Sequence, residues 1–317
     1  MPIRTLLSLL LVALLAGCDQ TPDQVYTPPV LSGKAYVLAE SNHIAIVDLT
    51  TTALSRIKMD KKGLDLAIAG KQLYVLAEDG TIASLKDEKS LNPWQAGVPG
   101  AIAMTVGPDQ SLWILAKNAL RQFVPGQGLG QQIPLTEEYS ALFLGEQADT
   151  LWLVNRAKST ATPFTPATAK AGAMLTAIGN SVHKGRAFPG VGELWLAEGN
   201  EYMNGEPYGV GYTKKGQPAM PGGINVIDPT SGKQTDFIMI GGNVIDLTIN
   251  PGQGKAFAAV SQLPDFIEAT LALVDTKSRR VTAELRLCHS CHMEANVTLK
   301  DGQGKVRALA ILQDNGK

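Results

Sequence analysis

Along most of the chain an aromatic residue followed by a short apolar run returns at a nearly fixed interval. The copies are Tyr36-Val37-Leu38-Ala39, Tyr74-Val75-Leu76-Ala77, Trp113-Ile114-Leu115-Ala116, Trp152-Leu153-Val154-Asn155, Trp195-Leu196-Ala197-Glu198 and Phe257-Ala258-Ala259-Val260. The steps between their aromatics are 38, 39, 39, 43 and 62 residues. A weaker seventh copy is suggested by the likeness of residues 246–259 to 296–309, which share Gly-Gln-Gly-Lys at 252 and 302. The apolar runs are too short for helices and are bounded by Gly, Pro, Asn and Asp, as strands are. Short strands recurring about every 40 residues predict an all-β chain folded as a β-propeller.

Each repeat resolves into four strands. An inner strand comes first, as in residues 64–69, 102–106 and 244–249, and the aromatic strand follows. A third strand closes on aspartate at Asp48, Asp228 and Asp275, ahead of a Thr- or Ser-containing turn, and a fourth strand lies outermost. Asp in such a turn accepts hydrogen bonds from the backbone that follows it, so these carboxylates read as turn formers and not as a catalytic pair. The first repeat lacks an inner strand and the last ends early, so the N- and C-terminal strands must meet to close the ring. This predicts seven blades, or six if residues 296–299 complete the first.

The N-terminal segment breaks the pattern. Arg4 precedes the apolar run Leu6 to Leu15, which is shorter than a membrane-spanning helix requires. Residues 1–17 read as an export signal. Leu15-Ala16-Gly17-Cys18 resembles the lipobox of bacterial lipoproteins, which implies cleavage before Cys18 and lipidation of its thiol and amine. Asp19 resembles the signal that keeps many Gram-negative lipoproteins on the inner membrane. Residues 18–32, with Pro22, Pro28 and Pro29, read as a lipid-anchored tether, and 33–317 as the propeller domain. The resemblance implies a periplasmic protein held to the bilayer through Cys18.

Composition narrows the chemistry. The 317 residues are 44 % hydrophobic and 18 % charged, with a formal net charge of −1, so no basic surface calls for a nucleic-acid partner. The chain has three cysteines and four histidines, and Cys288, Cys291 and His292 stand together in Leu287-Cys288-His289-Ser290-Cys291-His292-Met293. Cys-x-x-Cys-His is the spacing for covalent haem c: each thiol bonds one vinyl carbon of the porphyrin and the imidazole ligates the iron from the proximal side. A disulfide, thiol redox chemistry, or a copper or zinc site would use the same residues. Only 25 residues follow His292, so the helices that wrap haem in cytochromes c have no room. Any pocket must come from the propeller.

The strand pattern over residues 33–312 resembles the YVTN-type propellers, and more loosely those that bind haem d1 in periplasmic nitrite reduction. Crossovers between blades emerge on the same face as the hairpins joining second and third strands, so a haem at 288–292 is expected over the mouth of the central channel. The insertion 199–223 falls in such a hairpin of the fifth repeat and carries Met203 and Met220. Those two thioethers, with His183 at the top of an inner strand near the position of Asp246, and His43 in a top hairpin, are the candidate distal iron ligands. There is no Gly-x-Ser-x-Gly and no phosphate-binding loop. Three readings follow: a membrane-anchored c-type cytochrome-like propeller that passes electrons to a redox protein partner; a non-redox propeller lipoprotein that binds or assembles partners; and a haem-dependent periplasmic oxidoreductase. The first accounts for the Cys pair, the adjacent His and export together, and favours an electron carrier or binding protein over a catalyst.

Overall fold

The computed structural model describes residues 32–39, 42–95, 97–107, 109–147, 149–179, 181–199, 222–241, 243–261, 269–286 and 306–312. They form six antiparallel sheets, the blades of a propeller. Blade one contains β1 (Lys34–Ala39), β2 (His43–Asp48) and β3 (Leu54–Lys58); blade two contains β4 (Gly63–Ala69), β5 (Gln72–Ala77), β6 (Ile82–Asp87) and β7 (Ser90–Leu91). Blade three is β8 (Ala101–Val106), β9 (Leu112–Ala116), β10 (Ala119–Val124) and β11 (Gly128–Pro134). Blade four is β12 (Ala141–Leu144), β13 (Leu151–Asn155) and β14 (Thr160–Thr165), edged by β15 (Lys170–Ala171) and β16 (Leu175–Thr176). Blade five is β17 (Val182–Phe188), β18 (Glu193–Glu198), β19 (Gly222–Ile227) and β20 (Gln234–Gly241). Blade six is β21 (Asn243–Asn250), β22 (Lys255–Ser261), β23 (Ala269–Asp275) and β24 (Arg280–Arg286).

The last strand, β25 (Val306–Leu312), returns to blade one and pairs antiparallel with β1, from Lys34 opposite Leu312 to Ala39 opposite Val306. It takes the place of the inner strand that the first repeat lacks. The blades therefore number six and not seven, and residues 306–312, not 296–299, complete blade one. The proposed equivalence of 296–309 with 246–259 fails for the same reason: it would make 306–309 part of an aromatic-type second strand, whereas β25 occupies a first-strand position.

The six aromatics hold one register position. Ala310, Ala67, Thr105, Phe143, Arg186 and Thr248 lie opposite Tyr36, Tyr74, Trp113, Trp152, Trp195 and Phe257. All but Tyr74, which is half-buried, are at most 8 % exposed. A blade has two faces, and each must be covered by a neighbour; the apolar clusters accordingly run between blades and not within them. One joins Tyr36, Leu38, Ile44 and Ile57 to Leu66, Leu73 and Val75, and another joins Phe143, Trp152 and Val154 to Val182, Leu194 and Leu196. Phe188 meets Trp195 edge-on, with ring centroids 5.3 Å apart.

The aspartates that end the third strands serve as the sequence indicates. Asp48 Oδ1 accepts from the N–H groups of Thr50 and Thr51, Asp228 from Thr230 N–H and the Ser231 hydroxyl, and Asp275 from the N–H and hydroxyl of Ser278. These bonds hold all three carboxyls below the ordinary aspartate range; for Asp275 the ammonium of Lys255, 2.7 Å away, is the largest cause. No helix among the described residues is long and apolar enough to cross a membrane.

Candidate functional site

Alternation of strand direction fixes which loops share a face. In an antiparallel four-stranded blade, the hairpin from second to third strand and the crossover from fourth to the next first strand leave from the same end. The segment 287–305, between β24 and β25, and the segment 199–221, between β18 and β19, therefore leave the blades on one face, here called the top. Cys288, Cys291, His292, Met203 and Met220 lie outside the described residues, as do the signal segment and Cys18. The described strands on either side of the cysteine motif are β24, to Arg286, and β25, from Val306.

Both described histidine candidates are at the top. His43 begins β2, opposite Ala39 on one side and Lys58 on the other, two strands removed from the channel. His183 is near the start of inner strand β17; both are half-buried and both engage neighbouring groups. His183 does not take the position of Asp246. The pairing of β17 with β18 skips it, from Val182 opposite Glu198 to Lys184 opposite Ala197. It is a bulged residue, and the same skip falls at Leu64, Ile102, Ile245 and Arg307 in four other inner strands. A bulge adds one residue to one strand and shifts the facing of all that follow by one. Lys184, not His183, is the equivalent of Asp246.

That one-residue shift assembles the main polar feature of the channel. Two positions beyond each aromatic, the inner-strand partners are Ala308, Asp65, Ala103, Ala141, Lys184 and Asp246 in blades one to six. Lys184 of blade five reaches across the axis to Asp65 of blade two, with which it forms a close ion pair, and its Nζ lies 3.2 Å from Asp246 Oδ2 in the adjoining blade. Arg186 Nη2 is 3.3 Å from the other oxygen of Asp246. All three members of the trio are at most 5 % exposed. Buried charges persist only when paired and hydrogen-bonded. Here Asp65 accepts from the N–H groups of Leu66 and Met104, and Asp246 from that of Leu247. The Asp65–Met104 bond also ties blade two to blade three.

Desolvation is the largest influence on Asp65 and raises its pKa, against the pull of Lys184; Asp246 adds to the rise. Gly185, between the two cations, is closely packed: a Cβ there would come within 2.6 Å of side-chain atoms of Phe143 in blade four and of Leu196, its partner in β18. Any larger residue at this position would have to displace those two side chains.

The trio also limits where a haem could sit. Inner strands of opposite blades are joined directly by Lys184 and Asp65, which leaves no space for a macrocycle in the channel at that level. Among the described residues no group of three or more His, Cys, Asp or Glu side chains is arranged to hold a metal ion. The thiols of Cys288 and Cys291 and the imidazole of His292 are of the types that covalent haem attachment would use, and the segment that carries them leaves from the top face.

No protein-family model and no curated protein sequence matches the chain. Solved structures do. The chain superposes on a protein of unknown function from Bacteroides caccae with a TM-score of 0.61 at 11 % identity, over 89 % of this chain and 100 % of that one. Hydrazine synthase from Kuenenia stuttgartiensis gives a TM-score of 0.54 at 11 % identity, over 81 % of this chain and 80 % of that one. A dihydro-haem d1 dehydrogenase, NirN, gives 0.48 at 15 % identity and is covered over 56 % of its length. At such identities the likeness is one of fold.

The Lys184–Asp65–Asp246 trio was not foreseen from the sequence. The signal was nonetheless present: in the His183-Lys184-Gly185-Arg186 stretch, two cations stand in an inner strand whose counterparts carry Ala67, Ala103 and Thr105. Its recognition requires the bulge to be counted.

Proposed function

We propose that the protein is a membrane-anchored periplasmic c-type cytochrome-like β-propeller that carries one covalent haem at Cys288 and Cys291, with His292 as proximal ligand, and passes electrons to a redox protein partner. The observation that carries this reading is the Cys-x-x-Cys-His spacing in the crossover between β24 and β25, the step that returns the chain to blade one. A haem there would cap the channel mouth, with the buried ion trio beneath it as a charged floor. The haem would supply one-electron chemistry at its iron; the propeller would exclude water from one side and offer distal donors. His183 and His43 are on the same face, and Met203 and Met220 belong to an insertion that leaves from it.

Export and lipidation at Cys18 fit this reading because covalent haem attachment takes place outside the cytoplasm and an anchored carrier stays beside membrane-bound partners. Several acyl chains hold a protein where one alone is marginal. The second reading, a non-redox lipoprotein with Cys288 and Cys291 as a disulfide or metal site, differs in one observable. Purification after co-expression with a haem-maturation system yields a coloured protein under the first reading and a colourless one under the second.

A further inference from the structure

Below the ion trio, on the side of the channel toward the hairpins that join first and second strands, lies a cavity of about 340 Å³. Its volume is within the range of small-molecule sites, about 300–1,000 Å³. Arg186 lines it, together with Thr105 and Thr248, which occupy the same register position in blades three and six. The remaining wall is largely apolar, with Leu66, Met104 and Ile249 among its members.

We propose that this cavity binds a small monocarboxylate with an apolar body, its carboxylate on Arg186 and the Thr248 hydroxyl of the adjoining blade and its body against the aliphatic wall. The guanidinium has five N–H donors in a planar fork. Nη1 donates to the carbonyl of Gly185 at 2.7 Å and Nη2 faces Asp246, so the fork is fixed in place and retains donors for a ligand. A fork so held suits the planar, bidentate geometry of a carboxylate. A phosphate dianion fits less well, since one half-buried cation already shared with Asp246 leaves most of its charge unmatched. Asp246 does not neutralise Arg186 by itself, because its other oxygen is shared with the Lys184 ammonium. The positive end of the cluster thus faces the cavity. The site is on the other side of the trio from the cysteine crossover and does not require haem.

The test uses the full chain in detergent, with 3-phenylpropionate as probe and 3-phenylpropanol as its uncharged counterpart, which also reports partition into micelles. Calorimetric titration is read beside the methyl resonance of Met104, a buried residue of the cavity wall. The acid binds saturably and shifts that resonance, while the alcohol binds at least about tenfold more weakly. Arg186→Gln lowers affinity for the acid by about 10- to 100-fold, the loss expected for hydrogen bonds to a charged group. Thr248→Val, which leaves the ion cluster intact, lowers it by about threefold or more. Equal binding of acid and alcohol, unchanged affinity in a folded Arg186→Gln or Thr248→Val variant, or a Met104 resonance that does not move at saturation would each overturn the proposal.

Discussion

Lys184 and Asp65 are 119 residues apart and form an ion pair across the propeller axis, between inner strands of opposite blades. The pair, extended to Asp246, ties three blades through one ammonium. Removal of the cation alone leaves two carboxylates buried beside each other, so Lys184→Met should destabilise the fold by about 3–5 kcal/mol. The triple change Asp65→Leu, Lys184→Met, Asp246→Leu removes the three buried charges, leaving only the partly exposed Arg186, and should recover much of that loss. Denaturant midpoints of the two variants check this; a triple variant no more stable than the single one contradicts it.

The return of β25 to blade one should be equally measurable. Leu309 stands opposite Val37 in the β25–β1 ladder. Proline there removes a backbone donor and fixes φ at about −65°, away from the extended backbone of a paired strand. Leu309→Pro is expected to lower the thermal midpoint and broaden the transition as blade one loosens from its neighbours. An unchanged melt would mean that the C-terminal strand does not hold the ring.

The pH dependence of stability follows from which form of each carboxyl the fold favours. Asp275 is held below its ordinary value by Lys255 and Ser278, so its contribution is present above the unfolded carboxyl pKa of about 3.9 and lost as pH falls through the depressed native value. Asp79, lowered to about 2 by Lys61 and Thr81, follows the same course. Asp65 runs the other way: its raised pKa gives a contribution that is full in acid and lost as pH rises through the native value. Asp275→Asn should therefore lower the midpoint at pH 7 by about 2–4 °C, as expected for loss of about 1 kcal/mol, and the gap to wild type should narrow toward pH 2. Thermal melts at the two pH values check it.

The propeller was legible in the sequence because the aromatic strands face neighbouring blades, and this packing demands the same residue type at the same interval. Tyr36, Trp113, Trp152, Trp195 and Phe257 are buried for that reason. The blade count was harder to read, since β25 carries no aromatic and is separated from its sheet partners by almost the whole chain. The bulge was invisible for a different reason: the extra residue it inserts, such as His183 or Leu64, is of no particular type and leaves no mark in the sequence. The polar trio disappeared with it, because its members become equivalent only after the extra residue is counted.

Under the proposed reading, membrane attachment rests on Cys18. The tether of residues 19–32 has no apolar stretch long enough to hold a bilayer, so Cys18→Ala should release the exported protein into the soluble fraction. Fractionation after a high-salt wash distinguishes the cases, and a variant still in the membrane pellet contradicts lipidation as the anchor.

The most direct measurement is the visible spectrum of the purified protein, produced with a haem-maturation system, before and after extraction with acidic acetone. A Soret band with sharp reduced α and β bands that stays with the polypeptide is the predicted result. Cys288→Ala or Cys291→Ala should lower haem retention sharply, and His292→Ala should change the iron's ligation. Met203 or Met220 substitution should abolish a near-infrared charge-transfer band if a thioether is the distal ligand, and His183 or His43 substitution should alter the spectrum if an imidazole is. A colourless wild-type protein, or colour that extraction removes entirely, would contradict covalent haem at 288–292.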